Sequence, residues 1–249
     1  MNPPEKDVPA GRPHDLPALI RVGHKGADAL ATGNTRESFY AAVEAGVDMI
    51  EFDVLRMPDG RLILAHDFDD AASRDCLTYE EGLDLFSEPP FDSIALDVDL
   101  KMRDYEREAV FSLLERGLEE RTIVSTTFTE SLPVIAKLAP GLRRGWSLPR
   151  ARRDYTKNAL MATPAYAVLR VLRRQLPGRA RIALRSGQCE GLMVHWLLAS
   201  LQLVEAVHGA GGFVYAWTVD EESRIAILDE YGFDGVITND PNLFGARPA

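Results

Sequence analysis

Cysteine is scarce in this chain. Of 249 residues only Cys76 and Cys189 are cysteines, and they lack the spacing of a zinc or redox motif, so a disulfide-built scaffold is excluded. No apolar run approaches the ~20 residues a membrane-spanning helix requires. The opening Met1-Asn2-Pro3-Pro4-Glu5-Lys6-Asp7 has no apolar stretch behind a basic one, so the expectation is a cytoplasmic protein without a signal peptide. Positive charge is also in deficit. With 28 Lys plus Arg against 38 Asp plus Glu the formal charge is −10, which argues against nucleic acid as a general partner, because displacing phosphate counterions takes a broad basic footprint. No Gly-x-Gly-x-x-Gly follows the first strand, which removes the main signature of an open dinucleotide-binding sheet. What remains, 46% apolar and 27% charged residues, is ordinary globular composition with enough apolar side chains for a large core.

Residues 1–17 carry several prolines and no periodicity, and they are expected to form a flexible N-terminal arm; residues 18–249 are expected to be one domain. From Leu19 onward, short β-branched runs alternate with amphipathic stretches, the pattern of parallel strands joined by helices. Strands are expected at residues 20–23, 49–54, 94–100, 122–125, 144–147, 192–195, 213–218 and 235–238, with helices near 36–45, 78–86, 106–116, 130–138, 201–208 and 222–231. The strand at 144–147 is placed because the alternation demands one. Pro58-Asp59-Gly60 is a turn, and Leu62-Ile63-Leu64-Ala65 behind it reads as a short extension after strand 2. Eight such units in one chain of this length imply an α/β fold, a closed (β/α)₈ TIM barrel.

Residues 143–185 depart from the acidic background, with twelve Arg or Lys facing the single acid Asp154. The first reading is an outer helix with a solvated basic face. The second is a membrane-surface contact through which the protein leans on anionic headgroups.

In a barrel of this kind, polar residues at the C-terminal strand ends build the site. Glu51 and Asp53 lie two apart on a strand and so share a face, and Asp97, Asp99 and Lys101 repeat the pattern on the next one. Carboxylates crowded inside a barrel repel one another and are costly to desolvate, so a cation must sit among them. Hard oxygen ligands select Mg²⁺ or Ca²⁺ as the cofactor. His24 and His66 each close an apolar strand, where an imidazole can move protons near neutrality, whereas His14, His195 and His208 read as ordinary surface or core histidines. Asn34 with Glu37 three residues on has a local explanation as a helix capping box. Trp217 either floors a substrate pocket or fills the core.

His24-Lys25-Gly26, Asn34-Thr35, residues 45–54, Pro58-Asp59-Gly60, His66-Asp67, Trp217-Thr218-Val219 and Thr238-Asn239-Asp240-Pro241, in this order, resemble the glycerophosphodiester phosphodiesterase family over residues 21–241. The resemblance implies a TIM barrel that uses one divalent cation to hydrolyse glycerophosphodiesters to an alcohol and glycerol 3-phosphate. It implies Glu51, Asp53 and Asp99 as metal ligands and His24 and His66 as the acid/base pair. Lys25, Asn34, Lys101 and Trp217 would be substrate-binding residues, with Lys101 facing the phosphate. It also implies attack by the glycerol 2-hydroxyl through a cyclic phosphate. The sequence departs from the family pattern where His-Arg-Gly becomes His24-Lys25-Gly26, where Pro-Glu-Asn-Thr becomes Thr32-Gly33-Asn34-Thr35, and where Asp99 replaces a glutamate. Asp99 matches the related sphingomyelinase D enzymes. Only about thirty residues separate His66 from Asp99, so the insertion that caps the family's pocket is short and larger alcohols, including lysophospholipids, become candidate substrates. Two alternatives follow: phospholipase D-like cleavage of a lysophospholipid or sphingolipid headgroup, and a non-catalytic barrel that binds phosphoesters.

Overall fold

The computed structural model describes residues 17–150 and 162–245, the side chains from residue 168 in the second segment. Residues 1–16 of the expected N-terminal arm, with His14, and Arg152, Arg153, Asp154 and Lys157 of the basic stretch lie outside the described residues. In chain order the elements are β1 (Ile20–Gly23), α1 (Arg36–Glu44), β2 (Met49–Arg56), β3 (Leu62–Leu64), α2 (Phe68–Ser73), α3 (Tyr79–Phe86), β4 (Ala95–Leu100) and α4 (Glu106–Glu115). There follow β5 (Thr122–Thr126), α5 (Leu132–Leu138), β6 (Arg143–Leu148), α6 (Ala162–Arg185), β7 (Gly191–His195), α7 (Leu201–His208), β8 (Phe213–Trp217), α8 (Glu222–Glu230) and β9 (Gly235–Thr238).

Strands β1, β2 and β4 to β9 pair in parallel, and β1 bonds both β2 and β9, which closes the ring into a (β/α)₈ barrel. β3 stands outside the ring. It pairs antiparallel with the end of β2 from Val54 to Arg56, the expected extension. The strand demanded by the alternation at 144–147 is present as β6.

Strand periodicity divides the core in two. Ile50, Phe52, Val54, Leu96, Val98 and Leu100 face outward and pack with Phe39, Phe86 and Phe91 of the helical layer and its loops. The alternate residues face the axis, where Val22, Met49, Ile123, Met193, Tyr215 and Ile237 fill the barrel. Gly191 makes room for this filling, since a Cβ there would come 2.2 Å from the Phe213 ring. Above that layer, by the same alternation, come Glu51 level with Asp97, and then Asp53 level with Asp99.

Two local expectations are corrected. The N-cap of α1 is Thr35, whose side chain accepts from Ser38 N while the Ser38 hydroxyl accepts from Thr35 N; Asn34 stands one residue earlier and is not the cap. Residues 68–73, given no element by the sequence pattern, form α2, capped by Asp67. α6 continues through Pro177 although proline there has no N–H to give the Arg173 carbonyl. No helix among the described residues is long and apolar enough to cross a membrane.

Candidate metal and phosphodiester site

The loop after β1 begins the site. His24 N donates to Thr238 O at 2.8 Å, Lys25 takes a left-handed conformation (φ 50°), and Gly26 follows at φ 88°. A side chain at Gly26 would press on Ser38, its Cβ 2.7 Å from the Ser38 backbone, so only glycine fits the turn. The turn directs Lys25 N to Glu51 Oε2 at 2.8 Å, fixing that carboxylate from above.

Asn34, fully buried at φ 59°, commits both ends of its amide to one residue. Its Nδ2 donates to Asp53 Oδ2 at 2.9 Å and its Oδ1 accepts from Asp53 N at 3.0 Å. Lys101 Nζ lies 2.9 Å from Asp53 Oδ1 and 2.9 Å from Asp99 Oδ2. It hydrogen-bonds Asp99, whereas its contact with Asp53 is ionic only, so Asp53 Oδ1 and Asp99 Oδ1 are buried without a hydrogen-bond partner. Carboxylate oxygens of Glu51, Asp53 and Asp99 lie within 4.8 Å of one another. Ligand oxygens on one shell of radius ~2.1–2.6 Å are at most about 4–5 Å apart, so the three can share a divalent cation.

The electrostatics favour added positive charge. Burial, then repulsion from Asp53, Asp97 and Asp99, pushes the Glu51 carboxyl well above its ordinary range. Burial raises Asp99 as well, and Asp97, one layer deeper, is pushed up to about 8 by burial with repulsion from Asp99 and Asp53. Asp53 alone is held low: burial opposes this, but Lys101, His66, His24 and Lys25 outweigh it. Lys101 stays charged because Asp53, Asp99 and Glu51 overcome its own burial. One ammonium cannot balance this many carboxylates, and with the unpartnered Asp99 Oδ1 this makes the donor set fit a hard dication.

His24 Nε2 is 3.9 Å from Glu51 Oε2, and its Nδ1 is 2.6 Å from Asn239 Oδ1. Asp220 sets the orientation of Asn239, accepting from Asn239 Nδ2 at 2.7 Å and from Asn239 N at 2.9 Å. Because a carboxylate only accepts, the amide oxygen must face His24; His24 therefore carries its proton on Nδ1 and turns a lone pair on Nε2 toward the carboxylates. Burial, then the Lys25 charge, lowers His24 to about 4, so the ring is neutral at physiological pH.

His66, just beyond β3, is half exposed (48%). Its Nδ1 meets Asp67 Oδ2 at 2.9 Å and its backbone N donates to Asp70 Oδ2 at 3.0 Å. Arg74 grips Asp70 through Nε and Nη2 at 2.8 and 2.9 Å. The imidazole borders a cleft of about 360 Å³ lined by Lys25, Asp28, Thr32, Gly33, Asp67 and Asp70. Lys25 Nζ donates to Asp28 Oδ2 at 3.1 Å, on the wall of that cleft.

The structure thus gathers His24, Lys25, Asn34, Glu51, Asp53, Asp99 and Lys101 at one end of the barrel, with His66 at the edge. Trp217 ends β8 two residues past the inward-facing Tyr215, so alternation puts it on the inner face as well. Its ring meets that of His195 at 5.2 Å, nearly perpendicular, and its Nε1 is buried without a hydrogen-bond partner. Sequence reasoning quoted Asn239 only within a motif, read His195 as an ordinary histidine, and singled out neither Asp220 nor Asp70. His195 follows Met193 by two on β7, and strand alternation would have placed it on the inner face; it is level with Trp217. His208 does sit apart from the site, paired with Asp234 at 3.0 Å.

The profile of the Glycerophosphoryl diester phosphodiesterase family matches residues 24–76 and 78–243. The chain is 25% identical over 246 residues to Glycerophosphodiester phosphodiesterase GDPD4 of Arabidopsis thaliana, covering 92% of this chain and 72% of that protein. Among solved structures, a Silicibacter pomeroyi DSS-3 protein superposes with TM-score 0.71 at 22% identity, covering 93% of each chain. An Oleispira antarctica phosphodiesterase in complex with the product sn-glycerol-3-phosphate superposes with TM-score 0.65 at 20% identity, over 91% of this chain and 94% of that one. The carboxylate cluster and both histidines fall inside the matched residues, and the chain belongs to the glycerophosphoryl diester phosphodiesterase family.

Proposed function

We propose that the protein hydrolyses glycerophosphodiesters with a divalent cation held by Glu51, Asp53 and Asp99 and with His24 and His66 as its acid/base pair. The observation that carries this reading is the convergence of three carboxylates within 4.8 Å beside a histidine whose tautomer is fixed. When bound, Mg²⁺ or Ca²⁺ would neutralise charge on the phosphoryl oxygens. Everything else falls to the side chains. His24 Nε2, unprotonated, takes the proton of the glycerol 2-hydroxyl as its oxygen attacks phosphorus. His66, its Nδ1 held by Asp67, gives the Nε2 proton to the departing alcohol oxygen at the open cleft. A cyclic phosphate results, and the roles then reverse: His66 takes a proton from water as the water oxygen bonds phosphorus, and His24 returns one to the 2-oxygen. The products are the alcohol and glycerol 3-phosphate.

Lys101 adds a fixed positive charge beside the site, and Lys25 lines the cleft as a second cation. Asn34 enters this mechanism as the residue that orients Asp53, since both ends of its amide are taken. The half-exposed His66 and the short chain between β3 and β4 favour one second reading, in which lysophospholipids, with the same headgroup alcohols but an acyl chain on the glycerol half, also enter.

Release of glycerol 3-phosphate from glycerophosphocholine tests the reading. Activity should vanish in EDTA and return with Mg²⁺ or Ca²⁺, and Glu51→Gln should lower kcat by at least about a hundredfold, the scale of a lost first-line electrostatic group. Undiminished turnover in EDTA, or a fully active Glu51→Gln, would refute it.

A further inference from the structure

α6 is the longest element among the described residues. At 1.5 Å per residue its 24 residues span about 36 Å, whereas the five residues of β7 span about 17 Å. A helix that follows a barrel strand starts at the C-terminal, catalytic end of the strands and runs back along the outside. Its packing matches that geometry. Leu176, Ala180, Ala183 and Leu184, all in the second half, are buried against the barrel, whereas none of residues 168–175 is buried. The first half of α6 therefore lies at the catalytic end of the strands, where Leu169 and Leu172 pack, partly buried, against the barrel core.

The face left open has a definite chemistry. α6 carries six arginines and no Asp, Glu or Lys, inside a chain whose net charge is −10. Val168, Val171 and Ile182 are 58%, 55% and 71% exposed, and with Arg174 and Arg185 they follow the three-and-four spacing of one helical stripe. Arg170 and Arg181 are also exposed beside it. Exposed valine and isoleucine flanked by arginine alone suit the boundary between anionic headgroups and acyl chains. The opposite wall has the reverse charge. β7 lies across the barrel from β2, and near β1, β2 and β3 the cleft presents Asp28, Asp67 and Asp70. An anionic surface would attract the α6 side, repel that wall and leave the cleft open.

We propose that the outer face of α6 is a docking surface for anionic phospholipid bilayers, which seats the barrel with its catalytic mouth beside the lipid. This stands independently of the catalytic reading, because binding is measured without substrate. The full-length protein is floated with vesicles of phosphatidylcholine alone or with about one third phosphatidylglycerol. It should bind only the latter at about 0.05 M NaCl and be released at about 0.5 M. Neutralising Arg170, Arg174, Arg181 and Arg185 to Gln should weaken partition about fivefold per residue, from about 1 kcal/mol per arginine near an anionic surface. Val168→Ser with Val171→Ser should weaken it while keeping the salt dependence. All variants should keep the parent's circular-dichroism spectrum and Tm, which shows that they fold. Failure to bind phosphatidylglycerol vesicles at low salt, or binding unchanged by the Arg→Gln set, would overturn the proposal. So would light scattering that shows a dimer which the Arg→Gln set disperses, since α6 would then bind a second copy of the chain.

Discussion

Asn34→Ala is the substitution whose consequences the structure defines most fully. Asn34 gives a hydrogen bond to the Asp53 carboxylate and receives one from the Asp53 backbone N–H, in a site with no access to solvent. Alanine removes both. Loss of a hydrogen bond to a charged group costs about 1.5–3 kcal/mol and an orphaned buried N–H about 1–3, so roughly 3–5 kcal/mol is expected, a large share of a typical domain's stability. A separate cost comes from the backbone. At φ 59°, alanine is strained by about 1–2 kcal/mol more than glycine, so Asn34→Gly should lose the hydrogen bonds but unfold about 1 kcal/mol later than Asn34→Ala. Urea unfolding of the three proteins reads these differences. Asp53 without its holder should bind a divalent cation about 10–100-fold more weakly, as residues that orient metal ligands do, so the midpoint of Mg²⁺ reactivation should shift by that factor. If Asn34→Ala unfolds within about 1 kcal/mol of the parent and its Mg²⁺ midpoint moves less than about threefold, then Asn34 does not hold Asp53 in place and the reasoning fails.

Two further tests concern the histidines. Asn239→Leu removes the acceptor that keeps the His24 proton on Nδ1, so kcat should fall by about a hundredfold, the usual weight of a general acid or base, with KM for glycerophosphocholine little changed; an unaltered kcat would show that the tautomer is set elsewhere. Asp70 is held below the ordinary aspartate range first by its hydrogen bonds with Arg74, with burial opposing, and by the His66 backbone N–H. A depressed native pKa gives stability that is present above the unfolded value near 4 and is lost as pH falls through the native value. Acid titration of Tm should therefore fall less steeply for Asp70→Asn than for the parent in that range, and equal slopes would count against the assignment.

The barrel was legible because its signal is redundant. Eight strands each supply an alternating or apolar run, so even the faint Arg144-Gly145-Trp146-Ser147 is recovered by counting, and it lies in β6. Glu51 and Asp53 were legible for the same reason, since a period of two fixes which side chains share a face. Asn34 was not. Asn followed by Glu three residues later satisfies a cap locally, but Thr35 with Ser38 satisfies it too, and what separates them is the contact with Asp53 nineteen residues away. Asn239 and Asp220 were hidden likewise, because their partnership with His24 spans the ends of the chain and exists only once β1 lies beside β9. α2 could have been found, as Asp67 followed by Asp69 and Asp70 is a helix-start signal.

The antiparallel hairpin that ends in His66 has a consequence for how such a protein can be remodelled. Barrel staves are bound on both sides within the ring, so lengthening one breaks it; β3 stands outside the ring, paired with β2 through Val54, Leu55 and Arg56 and held at its other edge by Leu77 and Thr78. New residues grafted into the short loop between α2 and α3 would thus leave both closure and the core face of α3 untouched while reshaping the vestibule through which the alcohol departs. Selectivity toward that half of the molecule can evolve, or be engineered, as a module detachable from phosphate capture.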